Sequence, residues 1–297
     1  MKVRLLHTTG QGKFEETIWD KPDIGPDEIE VKNIMTGVCR SDIDMMNGNF
    51  GPLPLNMQGH EGLGQVTKVG MYLTGVKVGD FVATRGEPAY ADYYNVRKKE
   101  FVIVPEADPK YILEPIACGI NVIYQNLELL ATKKLPRVLI LGSGFLAWVA
   151  YNAIQRCQLR VQEVVVVGKN NKDLWGNILS EEYQGTFDII VDLSDRTDVF
   201  DKPIVNNEAI VIFGAQKMIT TDFSNLLWKA CTMIFPSPRT EKFHMAMIIA
   251  ESWIRLNSLD ISSFWTKGYD RDTEWQQAFE DGQNRPKNYS RGYIKWA

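Results

Sequence analysis

At 297 residues, with 44% of them hydrophobic, the chain can bury two cores and has the composition of a folded globular protein. Its 33 basic residues against 37 acidic ones give a formal net charge of -4 with no basic block and no acidic tail, which argues against nucleic acid as a partner. The longest apolar runs, Arg137 to Leu141 and Val164 to Val167, fall far short of the roughly 20 residues that span a bilayer, and Met1 to His7 lacks the apolar core of a secretory signal, so a cytoplasmic protein without membrane attachment is expected.

The first hundred residues read as short strands broken by turn residues. Ile29 to Ile34 alternates, Gly64 to Val69 is strand-like, and Lys77 to Ala83 is a turn entering a further strand, which together predict a β-rich, barrel-like unit. From Tyr111 the texture changes to a helical stretch, Ile116 to Leu130, and then to strand, glycine turn, helix and strand between Val138 and Val167. That alternation predicts an α/β architecture with a parallel, doubly wound sheet, continued by strands at Asp188 to Leu193, Ala209 to Phe213 and Thr232 to Phe235. After about Leu259 the pattern shortens into polar segments carrying aromatics and ending in Tyr293-Ile294-Lys295-Trp296.

Within that alternation, Val138 to Leu141 is a buried strand running into Gly142-Ser143-Gly144-Phe145-Leu146-Ala147, a G-x-G-x-x-A turn that opens an apolar helix. Gly142 and Gly144 permit the tight turn and let a pyrophosphate approach the helix amino terminus at Phe145 and Leu146, while Ala147 keeps the helix near the sheet. A dinucleotide site is therefore expected here. At the tip of the next strand an NAD site carries a carboxylate for the ribose hydroxyls. Here the strand ends in Gly168, followed by Lys169, Asn170, Asn171 and Lys172. Without the carboxylate a 2′-phosphate escapes repulsion, and Lys169 and Lys172 attract it, so NADP is expected over NAD. Only about twenty residues then separate this strand from Asp188, too few for the usual helix, strand and further helix, so the nucleotide unit is expected to be shortened there.

The most specific motif lies upstream. Gly59-His60-Glu61-Gly62-Leu63-Gly64, closing at Gly70, follows Cys39-Arg40-Ser41-Asp42 by about twenty residues and offers a thiolate, an imidazole and a carboxylate that one zinc ion could collect. The four cysteines, Cys39, Cys118, Cys157 and Cys231, are scattered without a C-x-x-C pair, so neither a disulfide framework nor a four-thiolate knuckle is indicated.

The whole pattern resembles the catalytic-zinc signature of the medium-chain dehydrogenase/reductase family, with the polyol, glucose and threonine dehydrogenases nearest. The resemblance implies a discontinuous, GroES-like catalytic domain of residues 1–115 and 260–297, with a shortened Rossmann-type dinucleotide domain of residues 116–259 inserted. It implies Cys39 and His60 as zinc ligands, with Glu61 either a direct ligand or a carboxylate behind the metal. Leu113-Glu114-Pro115 is similar to the step in polyol dehydrogenases that brings Glu114 to the metal, directly or through water. Ser41 matches the hydroxyl that relays the alcohol proton, Asp42 the carboxylate that orients the imidazole, and Arg40 and Arg291 the arginines expected on the pyrophosphate. Arg85 and Glu87 are expected near the substrate mouth. No cysteine lies between Gly79 and Tyr93, where many relatives carry a second, structural zinc, so a single catalytic zinc is expected. The implied activity is hydride transfer between a nicotinamide cofactor and a small alcohol or carbonyl compound, such as a polyol, sugar or amino alcohol, by a homodimer. A zinc-free quinone or enone reductase of the same fold and a non-catalytic dinucleotide-binding protein are the competing readings, and Cys39 with His60 argues against both.

Overall fold

The computed structural model describes residues 1–51, 53–200, 204–215 and 223–296. It falls into two compact units, Met1–Ala117 with Met247–Ala297, and Cys118–Ala246.

In the first unit, β1 (Lys2–His7) and β2 (Glu15–Asp20) form an antiparallel ribbon. β3 (Glu28–Gly37) follows and leads into helix α1 (Arg40–Met46), then β4 (Gly62–Val69), β5 (Phe81–Thr84), β6 (Tyr93–Arg97) and β7 (Phe101–Val104). β3 is the hub because it pairs antiparallel with both β4 and β6. The alternation seen at Ile29 and Val31 is the reason: both side chains are fully buried, packed with Val66, Val82, Tyr94 and Val96. Thr84 at the end of β5 and Tyr93 at the start of β6 are joined by a short connection, with no lobe inserted between them.

The second unit begins within α2 (Glu114–Tyr124) and continues through α3 (Leu127–Leu130), β8 (Arg137–Leu141), α4 (Phe145–Arg156), β9 (Glu163–Val167), α5 (Lys172–Trp175), β10 (Leu179–Ser180), β11 (Phe187–Asp192), β12 (Val205–Phe213), α6 (Ser224–Trp228) and β13 (Thr232–Ile234). The strands stand in the order β10-β9-β8-β11-β12-β13, all parallel. This is the doubly wound order, with its reversal between β8 and β11. The central strands are unbroken apolar runs because both faces of a parallel sheet are covered: Val138 to Leu141 and Ile189 to Val191 are all but inaccessible. The shortening falls on one place. Between β9 and β11 there is a one-turn α5 followed by a short 3-10 turn at Gly176–Ile178, a two-residue β10, and a stretch from Glu181 to Thr186 that enters β11 without a helix.

The chain then runs through α7 (Phe243–Arg255), β14 (Trp265–Asp270), α8 (Trp275–Asn284) and β15 (Arg291–Lys295). β15 pairs with β14 and, antiparallel, with β3, which returns the tail to the first unit. The return comes at Met247, inside α7, rather than at residue 260. Phe243, Ala246, Met247, Ala250 and Ile254 form one buried stripe along that helix, so no turn residue marks the crossing in the sequence. No helix among the described residues is long and apolar enough to cross a membrane.

Candidate functional site

Pairing of β3 with β4 sets Thr36 opposite Gly62. Cys39, just past the end of β3, therefore meets His60 and Glu61, just before β4. Gly59 makes the approach: its φ is +75°, and a Cβ there would stand 2.6 Å from the Tyr90 ring, so only glycine lets the chain turn at this point. The ligating atoms of Cys39, His60 and Glu61 all lie within 4.8 Å of one another.

Asp42 fixes both sides of this cluster. Its Oδ2 accepts hydrogen bonds from the Cys39 N–H at 2.8 Å and the Tyr90 hydroxyl at 2.7 Å. Its Oδ1, buried and without a hydrogen-bond partner, faces His60 Nδ1 at 3.7 Å. Ser41 Oγ stands 3.5 Å from the other ring nitrogen, His60 Nε2. From the far end of the chain, Arg291 on β15 donates through Nη2 to both oxygens of Glu61 at 2.5 Å. Glu114, buried in the first turn of α2, is near enough to act electrostatically on both His60 and Arg291, but lies outside the group of three. Tyr90 was not singled out from the sequence; it is 48 residues from the Asp42 it touches, and no spacing links them.

Acidic groups outnumber basic ones in this buried cluster. Burial, reinforced by Glu61, pushes the Cys39 thiol up, and burial raises the Asp42 carboxyl. Burial opposes the charged form of His60, yet Asp42, Cys39 and Glu114 together hold the imidazole well above its ordinary value. Arg291 is likewise held up against burial by Glu61, Cys39 and Glu114. Three carboxyls and a thiol face one guanidinium and one imidazole, a set in which a divalent cation would take the place of the protons on the thiol and the imidazole. Sulfur, nitrogen and oxygen donors suit zinc. The orphaned Asp42 Oδ1 is placed to take the Nδ1 proton of His60 when the opposite nitrogen holds a metal, as ligating imidazoles require. On these grounds the residues fit a zinc ion.

In the second unit the glycine turn forms between β8 and α4. Gly142, at φ +115°, donates its N–H to Val167 O at 2.8 Å, and a Cβ on it would stand 2.8 Å from Leu193 O. Gly144 caps α4, whose first turn holds Phe145, buried, and Leu146, half-buried. A helix leaves its first N–H groups without intrahelical acceptors, which is the arrangement that receives a pyrophosphate. The segment after β9 folds back onto this turn. Asn171 Nδ2 and Trp175 Nε1 both donate to Ser143 O, at 2.8 and 3.0 Å. Trp175, beside Leu174 in a one-turn helix, carried no periodic signal that it would be buried there.

The remaining expected residues are placed as follows. Arg40 is on the surface of α1, 3.5 Å from Asp44, whose Oδ1 also accepts from Asn49. Lys172 pairs with Glu181 at 2.7 Å, while Lys169 is exposed in the loop after β9. Arg85 is paired with Glu100 at 3.5 Å, and Glu87 lies in the connection between β5 and β6.

Residues 25–106 match the alcohol dehydrogenase GroES-like domain. An alcohol dehydrogenase of Moraxella sp. (strain TAE123) is 29% identical over 181 residues, 50% of this chain and 53% of that protein, so the chain spans about half the length of that relative. The L-threonine 3-dehydrogenase of Ruegeria pomeroyi is 25% identical across 91% of this chain and 94% of that protein. A solved short chain alcohol dehydrogenase of Escherichia coli CFT073, in complex with NADH, has the same fold, with a TM-score of 0.78 at 15% identity over 99% of each chain.

Proposed function

The chain belongs to the medium-chain dehydrogenase/reductase family, and from that premise we propose that it is a zinc-dependent oxidoreductase passing hydride between a nicotinamide dinucleotide, NADP in preference to NAD, and a small alcohol or carbonyl compound. The observation that carries this reading is the meeting of Cys39, His60 and Glu61 ahead of an Asp42 oxygen that lacks a partner. Cys39, His60 and Glu61 would hold the zinc ion, which would supply a Lewis acid for the substrate oxygen. The chain's own residues do the rest. Asp42 and Tyr90 hold the imidazole and the capping segment in register, and Ser41, beside His60, moves the substrate proton outward. Arg291 donates to both oxygens of Glu61 beside the cluster, and Glu114 is the further carboxylate available to complete the ligand set. Gly142, Gly144 and the start of α4 receive the pyrophosphate. The same reading carries a cytoplasmic homodimer and a substrate among the polyols, sugars and amino alcohols.

The test is elemental analysis joined to a turnover panel of polyols, aldoses, amino alcohols and aldehydes with both cofactors. One zinc per chain is expected, and Cys39→Ser should lose metal and turnover together while still binding dinucleotide. Two zincs, or turnover in metal-free protein, would overturn the proposal.

A further inference from the structure

We propose that Ser143, rather than the strand-end position 168, decides which dinucleotide the turn accepts, because its hydroxyl fills the space that a ribose-binding carboxylate would need. The inference rests on the dinucleotide reading given above and sharpens it. A Cβ built on Gly168 would overlap Ser143 Oγ, stand 2.5 Å from Ser143 Cβ and lie 2.9 Å from Ser143 N. Real side chains do not approach so closely, and a backbone nitrogen cannot step aside. Glycine at 168 is thus imposed by the residue facing it, and an aspartate could not simply be placed there.

Ser143 is also unable to retreat. Its Oγ accepts the Asn170 N–H at 3.1 Å, and its carbonyl is gripped by Asn171 Nδ2 and by the indole of Trp175. Trp175 is itself 1% exposed and is packed edge-on by Trp148 and Tyr151, with ring centroids 5.0 and 5.5 Å away. The side chain therefore stands at the strand tip as a fixed, neutral group. Since Oγ already accepts from Asn170, its own proton remains to be donated. A neutral hydroxyl donor admits a phosphate dianion, which a carboxylate in the same place would repel. Charge adds less here, since Lys172 is committed to Glu181 and Lys169 is left as the cation of the loop.

Fluorescence titration with NADPH and NADH, alongside thermal melting, tests this on four proteins: wild type, Gly168→Asp, Ser143→Gly and the double variant. Wild type should favour NADPH. Gly168→Asp alone should melt lower and bind both forms at least about tenfold more weakly. Adding Ser143→Gly should restore the melting temperature and turn the preference to NADH by about tenfold. Ser143→Gly alone should weaken NADPH by about fivefold, the worth of one neutral hydrogen bond, and leave NADH unchanged. Gly168→Asp binding NADH with the wild-type melting temperature would overturn the proposal, as would a double variant with wild-type preference. If both aspartate variants fail to fold, an unchanged NADPH to NADH ratio in Ser143→Gly overturns it by itself. Wild type binding neither dinucleotide would instead defeat the reading on which the inference rests.

Discussion

Around His60 the protein gathers ionisable side chains from four segments far apart in sequence: Cys39 to Asp42, His60 and Glu61, Glu114, and Arg291. Around Ser143 it works with neutral donors and backbone groups from one stretch, Gly142 to Trp175. The two regions hold their shape by different physics. In the first, each charge is tolerated only because another faces it, so loss of one member leaves the rest buried and uncompensated. In the second, the Ser143 carbonyl has two donors, and loss of one leaves the other in place.

The sharpest way to break that comparison is Arg291→Ala. Glu61 would then be left buried opposite Asp42 and Glu114, and the expected loss is about 3 to 5 kcal/mol in urea unfolding. Arg291→Lys should recover part of it, since it keeps a positive charge facing Glu61. A loss below about 1 kcal/mol for the alanine variant would show that the cluster tolerates uncompensated charge after all.

Glu30 extends the comparison within the same unit and adds pH as the lever. Its carboxylate is buried and meets Lys21 at 2.9 Å, Lys68 at 3.0 Å and the Thr67 hydroxyl at 2.9 Å. Burial opposes ionisation, but the hydrogen bonds from Lys21, Lys68 and Thr67 hold the carboxyl below its ordinary value of 4.5. A carboxyl depressed in the folded state contributes stability that is fully present above its unfolded value and is lost as pH falls through the folded one. Glu30→Gln should therefore cost about 3 kcal/mol at pH 7 and flatten the fall in stability below pH 4.5. Parallel curves for variant and wild type from pH 5 to pH 3 would exclude the carboxyl as their source.

The smallest effect belongs to the neutral region. Trp175→Phe keeps the ring against Trp148 and Tyr151 but removes one of the two donors on Ser143 O, and about 1 kcal/mol should be lost on unfolding. A loss as large as that of Arg291→Ala would mean that the turn depends on the indole as heavily as the cluster depends on its counter-charge.

Much of this architecture is legible in residue order, and the legible parts share a cause. The β-rich unit at Ile29 to Val104, the strand at Val138 to Leu141 with its glycine turn, and the parallel run from β8 to β13 follow from local periodicity and from glycines that close turns between neighbours in sequence. The shortening before Asp188 was visible as a lack of chain, and it takes the form of a one-turn α5 and a two-residue β10. The C-terminal crossing at Met247 was not visible, since a continuous amphipathic helix carries no mark where one unit gives way to the other.

The sequence by itself determined the two kinds of unit, the residue types offered to a metal, and the turn offered to a phosphate, because each depends on spacings of a few residues. Tertiary structure alone decided the partners. It set Arg291 on Glu61 across 230 positions and Tyr90 on Asp42 across 48, and it put Ser143 against Gly168 with Trp175 fastening the turn. Such pairings follow from strand register and burial, which sum over the whole chain, and no local pattern encodes which distant charge or hydroxyl will arrive.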